Sequence, residues 1–577
     1  MTPPCFAVRL RTWKIGGTRS PCRATFVYYD NFNEGEVGVH NDFLDGYKLF
    51  RGILIYQGTW RGENVQRNMD GTIGPRQALV PLGGGNAITG LPNGYLQGFH
   101  YTGNPGKDLI VVVANRIFTI NSFTGGPAQE FSYASTFNAP ASTVAFTQSA
   151  DRYHYLTSPG DQTYCLDTTL MTCKVVPNAP GGTCITIHQG IMCIGNIAAG
   201  RGNRMAVSSP FAPGNPGETR YPFPVTPQYF DVDDEWSING LYSQRTHLAI
   251  LKQVGFYIAT GDFQSTANTS IRRVTTQDGP YSPNTAVRTG DGNIWYIPLF
   301  FDLPASFNGS QAVQQRKQRF AGGYYTFPNN FIQPMGAMYG VQPHDVLFVA
   351  GADNTGSVQD TAPIFTSPRN VGLHLHNGAW SHHTYGVDTS GYLAYGTQNG
   401  TYFASSGAPA DHPYFYQMAT EIDRPSKTTD GRGGVQDGVL GGNAASVANP
   451  NWFELPEWES RDGSEVIVRA VHVSLKKWNT GYNQTNHFAC KVTSVRQWSK
   501  QSDNNIHQTS QPYGQTSQIK EWNEAPGVTQ ADATRQHVVM RFGDQGSGNG
   551  FKVRFDNLRG ISIEKIQVII DVMPTRS

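Results

Sequence analysis

Charge is scarce in this sequence. Lys, Arg, Asp and Glu make up 15% of the 577 residues, and 44 basic side chains against 43 acidic ones leave a formal net charge of +1. Such a chain has no global attraction for nucleic acid, whose binding rests on neutralised phosphates and released counterions. Any contact with DNA has to be local and slippery. Long apolar runs are missing as well: no stretch of about 18 apolar residues occurs, which excludes a membrane-spanning helix. The amino terminus, MTPPCFAVRLRTWKIGG, has no uninterrupted apolar segment of signal-peptide length, so synthesis in the cytosol is the expectation. Seven cysteines (Cys5, Cys22, Cys165, Cys173, Cys184, Cys193, Cys490) cannot all pair, and none falls in a C-x-x-C spacing. Buried free thiols are expected.

Motifs that carry chemistry are equally sparse. There is no G-x-S-x-G elbow and no H-E-x-x-H pair. The stretch GDQGSGNG, Gly543 to Gly550, lacks the Lys-Ser/Thr ending of a phosphate loop and reads as a hairpin loop between strands. His374 and His376 sit two apart, so on a strand they would share a face and could hold a metal with His382 or His383. No Cys, Asp or Glu at ligand spacing completes that set, and a polar strand at a sheet edge is the plainer reading. Asp231, Asp233, Asp234 and Glu235 gather oxygen enough for calcium but lack the D-x-[DN]-x-[DN]-G order, so a solvated strand end beside a turn is expected. Basic residues cluster only mildly, at Arg272 with Arg273 and at Arg316, Lys317 and Arg319. The segment WNTGYNQTNHF from Trp478 carries aromatic and amide groups that could cradle a sugar ring. A glycosidase would need two carboxylates facing across a funnel, and spacing alone nominates no such pair. The residues thus assign no catalytic, cofactor-binding or metal-binding position, and no enzyme.

What is present favours strands. Gly 64 and Pro 35 supply turns without reaching the level of disorder, aromatics at 12% supply core bulk, and Asn, Gln, Thr and Ser suit short strands better than helices. The length predicts two to four domains, or one large repeat domain with additions. From Asn93 to Ser406 apolar hairpins recur near Leu109, Tyr153, Cys184, Leu248, Ile294, Val346 and Tyr392. Their mean spacing, about 47 residues, is that of four-stranded propeller blades. LIVVV from Leu109 and LAILKQVGFYI from Leu248 are nearly continuous, as expected of strands buried on both faces. A β-propeller of roughly six to eight blades follows, with a sandwich carrying long insertions as its competitor. The proline-dense stretch 210–227 cannot be a central strand and should be a loop leaving a blade edge.

Residues 1–92 read as an amino-terminal β-meander packed on the first blade. The segment 407–450 reads as a glycine-rich linker. Strand patterns in 451–577 predict a β-sandwich of jelly-roll type. Within it Val466, Val468 and Ala470 should face one way and Ile467, Val471, Val473 and Leu475 the other, which makes that strand central.

Several phrases carry a resemblance. GNRMAVSSP at Gly202, QYFDVDDEWSINGL at Gln228, HLAILKQVGFYIATGD at His247 and IRRVTTQDGPYSPNTAVRTGDGNIWYI at Ile271 resemble, in order and spacing, the β-propeller tail proteins of short-tailed bacteriophages, the nozzle or hub below the portal. FRGILIYQGTWRGENVQRNMDGTIGPRQALVPL from Phe50 is similar to the stretch that precedes the propeller in that family, and the phrase from Phe542 to its carboxy-terminal sandwich. The resemblance implies a structural virion protein of the tail, made in the host cytoplasm. It further implies a homo-oligomeric ring, commonly of six copies in that family, enclosing the channel for genome ejection. The partners implied are other tail proteins (portal adaptor, fibre or tip) and transient, non-specific contact with genomic DNA in the lumen. It implies no cofactor and no site residue. A tail-tip adhesin for host glycan and a propeller glycosidase or polysaccharide lyase are the alternatives.

Overall fold

The computed structural model describes most of residues 59–121, 126–133, 144–197, 202–309, 451–477, 486–495, 516–524, 535–542 and 548–573, and elsewhere the individual strands named below. Among the described residues no α-helix occurs. The described strands form a seven-bladed β-propeller and a two-sheet β-sandwich.

Each blade is an antiparallel sheet laid down in chain order. Blade 1 holds Leu96–Tyr101, Leu109–Val113, Arg116–Ile120 and Gln129–Glu130. Blade 2 holds Ala145–Gln148, Tyr153–Thr157, Gln162–Asp167 and Thr172–Pro180, with Ser132–Tyr133 added in parallel at its rim. Blade 3 holds Gly182–His188, Ile191–Ile197, Arg204–Val207 and Gln228–Asp231. Blade 4 runs from Ile238–Ser243 through Leu248–Lys252 and Val254–Gly261 to Thr269–Asp278. Blades 5 and 6 follow in the same way, from Ala286–Arg288 to Ala312–Gln314 and from Phe331–Tyr339 to Ala379–Thr384. Blade 7 takes Leu393–Gly396, Gly400–Ala404 and Phe415–Met418, and borrows Leu79–Pro81 as its outer strand. First strands adjoin from blade 2 to blade 4 and from blade 5 through blade 7 to blade 1, and the two remaining seams are bridged by His100 stacked on Phe146 and by Arg288 donating to the Ser243 carbonyl, so the ring closes.

Burial on both faces is what holds the blades together. Leu109, Val111 and Val113 join Phe415 of blade 7, while Ile110 and Val112 join Leu156, Tyr164 and Leu166 of blade 2. Leu248 and Ile250 pack on Cys193, Met205 and Val207 of blade 3, while Ala249 and Leu251 pack on Ile294, Tyr296 and Phe307 of blade 5. Strand alternation thus sends successive residues into different seams, and each buried aliphatic side chain contributes about 2 kcal/mol.

The expected boundaries at 92, 406 and 451 are crossed by hydrogen-bonded sheets. Thr59–Glu63 pairs with Trp452–Glu454, Ile73–Pro75 with Ile561–Met573, and Cys22–Tyr28 with the same long strand. The amino-terminal stretch therefore belongs largely to the sheets of the sandwich and, through Leu79–Pro81, to the last blade; only its end, with Leu82, Ile88 and Leu91, packs on the first blade as expected. Residues 407–450 likewise include a blade strand, Phe415–Met418, and a hairpin of Val435–Asp437 with Val447–Asn449. Alternation along Glu465–Lys477 also differs from expectation. A bulge between Val468 and Ala470 resets the phase, so Val466, Val468, Val471, Val473 and Leu475 all enter one core. The strand is central, flanked by Arg535–Arg541 and Ile561–Met573.

Candidate functional site

The four clustered carboxylates lie on the connection between blades 3 and 4, and the structure divides their work. Asp231 ends the outer strand of blade 3 and receives Arg204 through both nitrogens, Nε at 2.6 Å and Nη2 at 2.7 Å. Asp233 and Glu235 are exposed. Asp234 turns toward Lys252, the last residue of an apolar strand and fully buried. The Lys252 ammonium donates to the carbonyls of Val232 at 2.7 Å, Asp234 at 3.0 Å and Asp233 at 3.3 Å, and to the Asp234 carboxylate. Tyr257 donates its hydroxyl to Asp234 Oδ2 at 3.0 Å, and the Arg273 guanidinium lies 3.8 Å from the same oxygen.

This turn is a cation cage whose cation is a lysine. Burial raises the Asp234 carboxyl, but the hydrogen bond and charge of Lys252 outweigh it and hold the group below its usual range. Burial lowers Lys252, with Asp234 opposing. The oxygens a calcium ion would need are engaged by the ammonium, so the connector ties blade 3 to blade 4. Among the described residues no group of three or more His, Cys, Asp or Glu could hold a metal ion.

The proline-dense insertion leaves blade 3 between its third and fourth strands, as expected of an edge loop, then folds back over blade 2. Tyr155 donates its hydroxyl to the carbonyl of Gly217 at 2.8 Å, Lys174 pairs with Glu218 at 2.8 Å, and Arg220 with Asp151 at 2.8 Å. Tyr221 and Phe223 enter the apolar seam between blades 2 and 3. The insertion is a wedge filling that seam. Its far side is open, with Val225 88% exposed.

Other candidates separate. His374 stands opposite Ala379 and His382 opposite Val371, ladder positions of opposite parity, and His383 lies farther along the strand; His376 lies outside the described residues. Residues 478–485 of the aromatic-amide segment and the cluster Arg316, Lys317 and Arg319 lie outside them too. Arg272 and Arg273 are exposed on the outer strand of blade 4, Arg273 with its guanidinium 5.7 Å from the ring of Tyr257. The glycine-rich stretch before Gly550 is not a hairpin loop. It joins strands of two different sheets, and Gly548 bridges to Val466. Cys165, Cys173, Cys184, Cys193 and Cys490 are free and buried. Burial pushes the Cys184 and Cys193 thiols up to about 12, leaving them inert.

Sequence reasoning passed over the blade histidines. His100 Nε2 lies 3.3 Å from His154 Nδ1 across the seam of blades 1 and 2, and His188 Nδ1 lies 2.9 Å from Ser243 Oγ across the seam of blades 3 and 4. A histidine at the end of an apolar strand, as in CITIH, was the available signal.

No protein-family model matches the chain, and no curated protein matches it in sequence. Among solved structures, it is similar to the extracellular domain of a one-component system from B. thetaiotaomicron, at 9% identity and TM-score 0.38. That overlap covers 62% of this chain and 43% of the other, so the chain spans less than half the length of that protein. It is also similar to YCF48 bound to D1 peptide (8% identity, TM-score 0.35, 59% and 96% covered). BamB from Moraxella catarrhalis gives 13% identity, TM-score 0.33, and 60% and 98% covered.

Proposed function

We propose that this chain is a structural protein of a bacteriophage tail, a nozzle or hub subunit that assembles with copies of itself into a ring around the genome-ejection channel. The observation that carries the reading is the path of the stretch from Thr59 to Pro81. It pairs with both sheets of the sandwich and then supplies the outer strand of blade 7. The same stretch carries the phrase resembling the one that precedes the propeller in those tail proteins, so resemblance and structural linkage fall on the same residues. A subunit whose two modules share strands transmits load between them without relying on a flexible linker. That suits a static component under internal pressure. Heterologous contacts between neighbouring copies would close such a ring.

Purified full-length protein, alone and mixed with tail proteins of the same virion, tests the reading by negative-stain imaging and light scattering. Closed rings with an axial opening are expected. A protein that stays monomeric in both settings and releases reducing ends from host polysaccharide would reverse it.

A further inference from the structure

On the sandwich, Val471, Val473, Val538 and Met540 point into the core, so His472, Ser474, His537 and Val539 project from the outer face. His472 stands opposite Val539 and Ser474 opposite His537 in the antiparallel ladder, which makes the two histidines diagonal neighbours. His472 Nδ1 and His537 Nε2 are 3.2 Å apart, and His537 Nδ1 lies 3.4 Å from Ser474 Oγ. Either of two tautomer sets satisfies both contacts, and in the one that matches ligation through Nε2, His537 Nδ1–H donates to Ser474 while its Nε2 accepts from His472.

We propose that this pair is a two-imidazole binding site for a divalent transition metal, Cu(II) or Zn(II). Two nitrogens each about 2.05 Å from one tetrahedral ion are about 3.3 Å apart, so the observed separation already matches a bound pair. Ser474 fixes the second ring in the way outer hydrogen bonds fix ligating histidines. On binding, the proton of His472 moves from Nδ1 to Nε2, so two neutral imidazoles ligate and no net charge is displaced. The other coordination positions face solvent. Imidazole suits both ions, and Cu(II) binds the more tightly of the two. Arg541 stands opposite Ala470, two residues along the strand from His472, and its charge repels the ion, an effect that solvent reduces. This inference does not depend on the tail reading.

Cu(II) and Zn(II) are titrated into tag-free full-length protein, with Cu(II) followed by electron paramagnetic resonance. Wild type is expected to show one site with two nitrogen ligands. His472→Ala and His537→Ala should each weaken it at least tenfold, and Arg541→Gln should tighten it severalfold, which a role limited to packing would not produce. Unchanged melting temperatures confirm that the exposed substitutions leave the fold intact. Equal stoichiometry and affinity in wild type and both alanine variants would overturn the proposal.

Discussion

His154 and His188 are buried at blade seams, and burial lowers both to about 4, with the charge of His247 adding to the effect at His188 and Asp151 opposing it at His154. Above pH 6.5 each is neutral whether the chain is folded or not. Between about pH 6.5 and 4 the unfolded chain takes up protons that the folded one refuses, so stability falls as pH falls. By pH 5 the loss is roughly 2 kcal/mol for each histidine. Urea midpoints measured at several pH values should show this decline, and His188→Gln should flatten it. A profile that stays level from pH 7 to 5 would show that these rings are protonated in place. Neither residue stood out in the sequence, because a histidine ending an apolar strand looks the same whether its ring meets solvent or the next blade.

The connector between blades 3 and 4 depends on Asp234 as counter-charge to an ammonium that has no exposure. Asp234→Ala leaves that ammonium with carbonyls alone and should cost about 3 kcal/mol, read as a lowered urea midpoint. Adding Lys252→Met removes the stranded charge and should recover most of the loss. If the double variant is no more stable than the single, the pair is not coupled as described. At this scale much was legible. LIVVV and LAILKQVGFYI announced burial from two sides, and all seven apolar hairpins fall one to a blade. The spacing of these starts is short before Cys184 and long after it, for two reasons: that hairpin begins on the first strand of its blade where its neighbours begin on the second, and the wedge then adds length. The bulge beside Arg469 was not legible, since an arginine between a valine and an alanine reads as an interruption and gives no sign that the alternation restarts after it.

The pairing of the front of the chain with its end was also beyond a sequence reading. The residues of Thr59–Glu63 and Trp452–Glu454 are nearly four hundred positions apart, and short strands carry no address for their partners. Residues 451–577 alone would lack Thr59–Glu63 and Ile73–Pro75 and expose the edges these strands cover. Expressed by itself, that fragment should aggregate or show weak near-ultraviolet dichroism, whereas fusing residues 59–75 to it should restore a cooperative melt. A stable, soluble 451–577 would mean that the shared strands are accessory.

Borrowing Leu79–Pro81 for the seventh blade also sets the order of events during synthesis. That strand leaves the ribosome with no blade to join until more than three hundred further residues have followed, so it is seated last in its sheet although it is made first. Completion of the ring is therefore a checkpoint on the whole chain: a product that stops short leaves its own beginning unpaired.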